Sequence, residues 1–129
     1  MKTLPLILSL LLITSNAYAE WTTYSLDVKG NVHVYDKSTI KRNGDKVKVW
    51  MYFNMLADDK SWESLNTKSM RTLVEIDCVN ETHKPLSIQR FTELDLEGDM
   101  TDVPITNRPI IYIVPNSSHA TLMKLVCKK

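Results

Sequence analysis

The sequence predicts an α+β domain: an antiparallel sheet of about six strands, with a C-terminal helix packed on its inner face and tethered there by a disulfide. Three observations carry this expectation. Apolar and polar residues alternate in several separate runs, the period of a half-buried strand. The last run, SSHATLMKLVC, changes period and places His119, Leu122, Met123, Val126 and Cys127 on one helical stripe. The chain has two cysteines; Cys78 ends a strand pattern and Cys127 ends the helical stripe.

At the N-terminus, Lys2 precedes an apolar run from Leu4 to Ile13, and Ala17-Tyr18-Ala19 is an A-x-A cleavage signature. Residues 1–19 therefore read as a secretory signal peptide, cut between Ala19 and Glu20. The apolar run is too short for a membrane span, which needs about 20 residues. No cysteine lies near the cut to accept a lipid. The expected mature protein is a single domain over residues 20–129, periplasmic or secreted, or held at the surface without a lipid anchor. Removing residues 1–19 from the 129 leaves 110, and losing Lys2 from 16 basic residues leaves 15 against 15 acids. That balance excludes a general nucleic-acid binder, which needs a basic excess.

Residues 21–28 and 31–36 are predicted as two strands joined around Lys29-Gly30. Residues 33–55 form the clearest local signal, a hairpin turning at Asn43-Gly44, a type I′ dipeptide. With Arg42 and Asp45 flanking the turn, Ile40 faces Val47, Val34 faces Phe53 and Val32 faces Met55, all on one face. Asp36 then falls opposite Met51 on that apolar face. A carboxylate there is costly, so a break or bulge is expected at residues 36–38. The other face carries Lys41, Lys46, Lys48, Trp50 and Tyr52, with Tyr35 opposite Tyr52. Such a stripe suits an acidic or planar partner, through cation–π and stacking contacts. The plainer reading is a solvated outer face guarded by lysines.

Residues 67–78 give a further long strand. Met70, Val74, Ile76 and Cys78 share one face, with Arg71, Leu73, Glu75 and Asp77 on the other. A polar turn over 79–83 leads to strand patterns at 84–94 and 108–114, with an exposed loop over 96–107 holding a short strand piece at most. Pro115 and Ser117 are helix-start signals. The other exposed loop, ADDKSWESLN over 57–66, carries Trp62 among polar residues. It is either an anchor for a partner or a side chain folded back onto the sheet edge.

In this pattern both cysteines point inward, and an exported chain meets an oxidising compartment. Two cysteines allow one intramolecular pairing, Cys78–Cys127. Closing their separation of 49 positions stabilises the fold by about 4 kcal/mol in the chain-entropy account. The competing chemistries fit less well: redox pairs favour C-x-x-C, and structural zinc takes four ligands.

The run YDKSTIKRNGDKVKVW, then EIDC, then PNSS before a helix ending in cysteine resembles the bacterial surface-adhesin protein E-like family, over about residues 21–127. The resemblance implies an antiparallel sheet with a C-terminal helix tethered to it by a disulfide, carried here by Cys78 and Cys127. It also implies a role in binding host extracellular matrix or plasma proteins.

The residue chemistry offers little for catalysis. His33 alternates with Val32 and Val34 and is expected to face outward; His83 falls in a turn and His119 in the first turn of the helix. None sits in an H-E-x-x-H pattern, and neither a G-x-S-x-G motif nor a glycine-rich phosphate loop is present. Met51 and Met55 read as core filling rather than copper ligands, and Asp58, Asp59 and Glu63 lack EF-hand spacing. No catalytic residue, metal or cofactor is assigned. The expected function is an exported, non-catalytic binding protein, monomeric or weakly dimeric. Its candidate contacts are Trp62, Trp50, Tyr52, Tyr35, Lys41, Lys46 and Lys48. The alternatives are a periplasmic accessory or structural protein of the envelope, and a carrier of a small planar ligand such as haem.

Overall fold

The two longest alternating runs become the central strands of one antiparallel sheet. The computed structural model describes residues 19–56, 60, 63–107 and 109–128. Residues 1–18 of the expected signal peptide and Trp62 lie outside them. The strands are β1 (Trp21–Leu26), β2 (Val32–Asp36), β3 (Lys41–Asn43), β4 (Lys46–Asn54), β5 (Ser69–Asp77), β6 (Thr82–Phe91), β7 (Met100–Asp102) and β8 (Ile111–Tyr112), followed by one helix, α1 (Ser118–Val126). The sheet order is β1-β2-β4-β5-β6-β7, with β3 paired to β4 and β8 to β6. Two very short strands raise the expected six to eight.

Side-chain alternation sorts the sheet into two faces. Val47, Val49 and Met51 of β4 and Val74 and Ile76 of β5 point to the inner side and are buried. The helix lays Leu122 and Val126 onto them, both fully buried. It starts as the sequence predicts: the Ser117 side chain accepts a hydrogen bond from the Ala120 amide, satisfying a donor the first turn leaves open. Cys127 caps its other end and is bonded to Cys78, with the two Cα atoms 5.8 Å apart. Arg42 of β3 adds a second tether, donating to the backbone carbonyls of Val126 and Lys128. A cation there complements the negative end of the helix dipole.

Two register findings differ from the sequence expectation. The hairpin turns on Gly44-Asp45, not Asn43-Gly44, so Asn43 pairs with Lys46, Arg42 with Val47 and Lys41 with Lys48. Gly44 has φ +61° while Asp45 stays on the negative side, as in a type II′ turn with glycine first. The shift puts Arg42 opposite inward-facing Val47, which is the side from which it reaches the helix carbonyls.

The second difference is in β2, where Tyr35 pairs with Met51 and Val34 with Tyr52. Tyr35 therefore leaves the outer face for the core, 5% exposed, with its ring edge-on to Tyr24 at 5.5 Å. The cause is the break expected at residues 36–38, found as a 3-10 turn over Lys37–Thr39. That turn uncouples β2 from the register set by the hairpin. Asp36 then faces outward rather than inward. The turn also repairs the ladder it interrupts, because the Trp50 amide donates to Thr39 Oγ1 at 3.0 Å.

Replacing Cys127 with Ser should lower the unfolding free energy by about 2–4 kcal/mol, read as a shift in urea midpoint. The unreduced wild-type protein should give no signal with a thiol-reactive dye. A titratable thiol in the native protein contradicts the tether.

Candidate functional site

Strands β4, β5 and β6 present a row of unlike side chains on the outer face. Tyr52 pairs with Arg71, and Arg71 with Gln89. The Arg71 guanidinium carbon lies 5.4 Å from the Trp50 ring centroid and 5.3 Å from that of Phe91, so one cation rests against two aromatic faces. Its Nε donates to Gln89 Oε1 at 3.0 Å, and Gln89 Nε2 donates on to Ser87 and to Asp102. Arg71 is thereby held in one orientation by its neighbours on three sides.

At the adjoining edge, Trp21 stands edge-on to Tyr52, ring centroids 4.8 Å apart. Trp21, Asp36, Thr39, Trp50, Arg71 and Gln89 line a cleft of about 340 Å³. A larger cleft of about 540 Å³ lies at the other end of β4, among Met55, Leu56, Lys60, Glu63 and Thr67. In the sequence, Lys60 and Glu63 stand on either side of the Ser61-Trp62 pair.

The lysine stripe is less free than its sequence suggests. Lys46 pairs across the ladder with Asp77, and Lys48 with Glu75, while Lys84 reaches Glu75 at 3.4 Å. Lys41 is exposed in β3, opposite Lys48. Hydrogen bonds from the Asn80 amide and side chain, with the Val79 amide and the Lys46 charge, hold the Asp77 carboxyl below its usual value. Tyr52 is partly covered by the loop after β6. Asn54 and Asp95 exchange two hydrogen bonds, at 2.8 and 2.9 Å. Burial, then the Asp95 charge, raise the Tyr52 hydroxyl above its ordinary pKa.

Of the residues predicted for the outer face, Trp50 and Tyr52 stand beside the cleft, the lysines flank it along the strand, and Tyr35 is in the core. Trp21, Thr39, Arg71, Gln89 and Asp36 complete it; the sequence marks Asp36 only as the site of a strand break and none of the five as a contact residue. Arg71 was legible as an outward residue of β5; its placement between two rings depends on cross-strand register, which composition does not encode.

The inner face holds the histidines. His33, expected outside, is buried: its Nε2 lies 3.0 Å from Asp27 Oδ2 and its ring stacks on Phe53. The register that takes Tyr35 inward does the same for His33, which pairs with inward-facing Phe53. His83 lies in β6 rather than a turn, and stacks on His119 with centroids 3.9 Å apart and planes 10° apart. Burial, then the charges of His83 and His33, lower the His119 pKa to about 4. Among the described residues, no three His, Cys, Asp or Glu side chains converge as a metal site.

The family model for surface-adhesin protein E matches residues 21–128. The chain belongs to the surface-adhesin protein E family. Its structure is similar to crystal form II of Haemophilus influenzae protein E, with TM-score 0.62 and 12% identity over 87% of this chain and 90% of that one. The selenomethionine form of the same protein gives TM-score 0.62 and 13% identity, over 87% and 88% of the two chains. Protein E from non-typeable Haemophilus influenzae gives 0.58 and 10%, over 88% and 78%. No curated protein sequence matches. At these identities the structural likeness establishes the fold, and the family match supports a surface adhesin. Among the described residues, no helix is long and apolar enough to cross a membrane.

The His83–His119 stack generates a pH dependence. Unfolded His119 takes a proton near 6.5, whereas the folded form resists it down to about 4. Stability is therefore complete above pH 6.5 and is lost as pH falls through 4, by roughly 3 kcal/mol in all. Urea midpoints between pH 7 and 4 should decline along this limb, and His119→Phe should flatten it. An unchanged limb in that variant removes His119 as its source.

Proposed function

We propose that this chain is an exported, non-catalytic binding protein whose partner surface is the Trp50–Arg71 face. One observation carries this reading: a guanidinium fixed between two aromatic rings at the wall of a half-open cleft. Rigid Trp and Arg side chains contribute most to protein interfaces, because little side-chain freedom is lost when they are covered. The ladder-paired lysines suit the rim of such a surface, where charge steers encounter more than it adds affinity. Membership of the surface-adhesin E family supports the assignment, and by that resemblance the partner class is host extracellular matrix or plasma proteins. Processing between Ala19 and Glu20, with the disulfide formed after export, completes the reading. Trp62 is proposed as a second, loop-borne contact.

The test is binding of the purified mature protein to immobilised matrix and plasma proteins. Trp50→Ala should weaken binding at least ~10-fold, about 1.4 kcal/mol, with the circular dichroism spectrum and disulfide intact; Trp62→Ala should have a smaller effect. Equal binding by Trp50→Ala excludes this face. Cell fractionation separates the competing role inside the envelope: recovery in the periplasmic fraction alone rules out direct adhesion.

A further inference from the structure

We infer that Asp36 is the built acceptor for the new N-terminus, the α-ammonium group of Glu20 that cleavage after Ala19 creates. The inference rests on processing at that bond. Asp36 is 4% exposed. Its Oδ1 accepts three hydrogen bonds, from the Glu20 backbone nitrogen at 2.9 Å, the Ser38 amide at 2.9 Å and the Ser38 hydroxyl at 2.6 Å. All three donors are neutral in the uncut chain, and among the described residues no cationic side chain is paired with this carboxylate. Burying a carboxylate without a counter-charge is costly.

Hydrolysis supplies the missing charge without moving an atom into place. A signal peptidase adds water across the Ala19–Glu20 amide: hydroxide joins the Ala19 carbonyl carbon, and the Glu20 nitrogen leaves as an amine that takes up a proton. That nitrogen already sits at hydrogen-bond distance from Oδ1, so a neutral contact becomes a charge-assisted one. Glu20 is also held from its other side, because its carbonyl accepts from the Lys37 amide at 3.2 Å. Ala19 is exposed. A cut one residue to either side would leave the charge displaced from Asp36. Asp36 and Trp21 both line the outer cleft, so the same ion pair leaves Arg71 as that cleft's net charge and favours an acidic partner segment.

The experiment uses the protein recovered after export and a form retaining Ala19 as one extra residue, each with Asp36 and with Asp36→Asn. Mass spectrometry of the exported protein should place its first residue at Glu20; any other start overturns the inference. Thermal midpoints at pH 7 should be several degrees higher for the form beginning at Glu20 than for the form retaining Ala19, and Asp36→Asn should erase the difference. The α-amine usually titrates near ~8. Pairing raises that value, so the advantage is present below pH 8 and lost as pH rises through the raised pKa. The other charged side chains near Asp36, Arg71 across the cleft and exposed Lys37, are the same in both forms. Should Asp36→Asn fail to fold, the alkaline limbs of the two native-sequence forms decide the question. Equal midpoints with superimposable limbs overturn the pairing, whatever the mass shows.

Discussion

The inner side of the sheet has to be covered, and among the described residues one nine-residue helix is there to cover it. A helix of that length is marginal alone in water; it persists because Leu122 and Val126 are inserted among Val47, Val49, Val74 and Ile76. Such a contact is small, and the chain reinforces it at both ends. Ser25 and Ser118 meet through their hydroxyls at 3.0 Å near the start, while the disulfide and Arg42 hold the finish. The position of the helix in turn fixes what lies beneath it, including the stacked His83 and His119.

Covering one face leaves the other free for chemistry. The outer residues lie on strands whose inner residues are locked in the core, so Trp50 and Arg71 inherit the rigidity of Val49, Met51 and Met70 beside them in sequence. A recognition surface built on strands starts with little freedom to lose, unlike one carried on a loop. The buried carboxylate of Asp36 lies on this face, at the border where the edge strand, the 3-10 turn and the cleft meet.

Much of the fold was legible because it rests on local signals. The alternation in β4 and β5, the Ser117 cap and the pairing of two cysteines each follow from residue type and spacing. Two things were not. The register of β2 was hidden because the 3-10 turn changes the residue count between β2 and β4, and a slip of one residue exchanges the faces. That slip moved Tyr35 into the core and Asp36 out of it. The hairpin was located correctly but turned one residue later, since either dipeptide around Gly44 satisfies a tight turn and Arg42 had a use on the inner side. The cleft was legible only in part, through Trp50 and Tyr52. Trp21, Arg71 and Gln89 come from three further strands, and their convergence is a property of sheet order. The same slip carried His33 inward, because it pairs with Phe53 where Val34 was expected.

The bond between Cys78 and Cys127 also decides how the molecule carries a mechanical load. Tension applied between the two chain ends enters through β1, at the edge of the sheet, and leaves at Cys127. From there the covalent path runs straight into Cys78 at the end of β5, bypassing the backbone of residues 79–126. The strands and helix in that loop are spared traction, and extension under pull is confined to the segment between the N-terminus and Cys78.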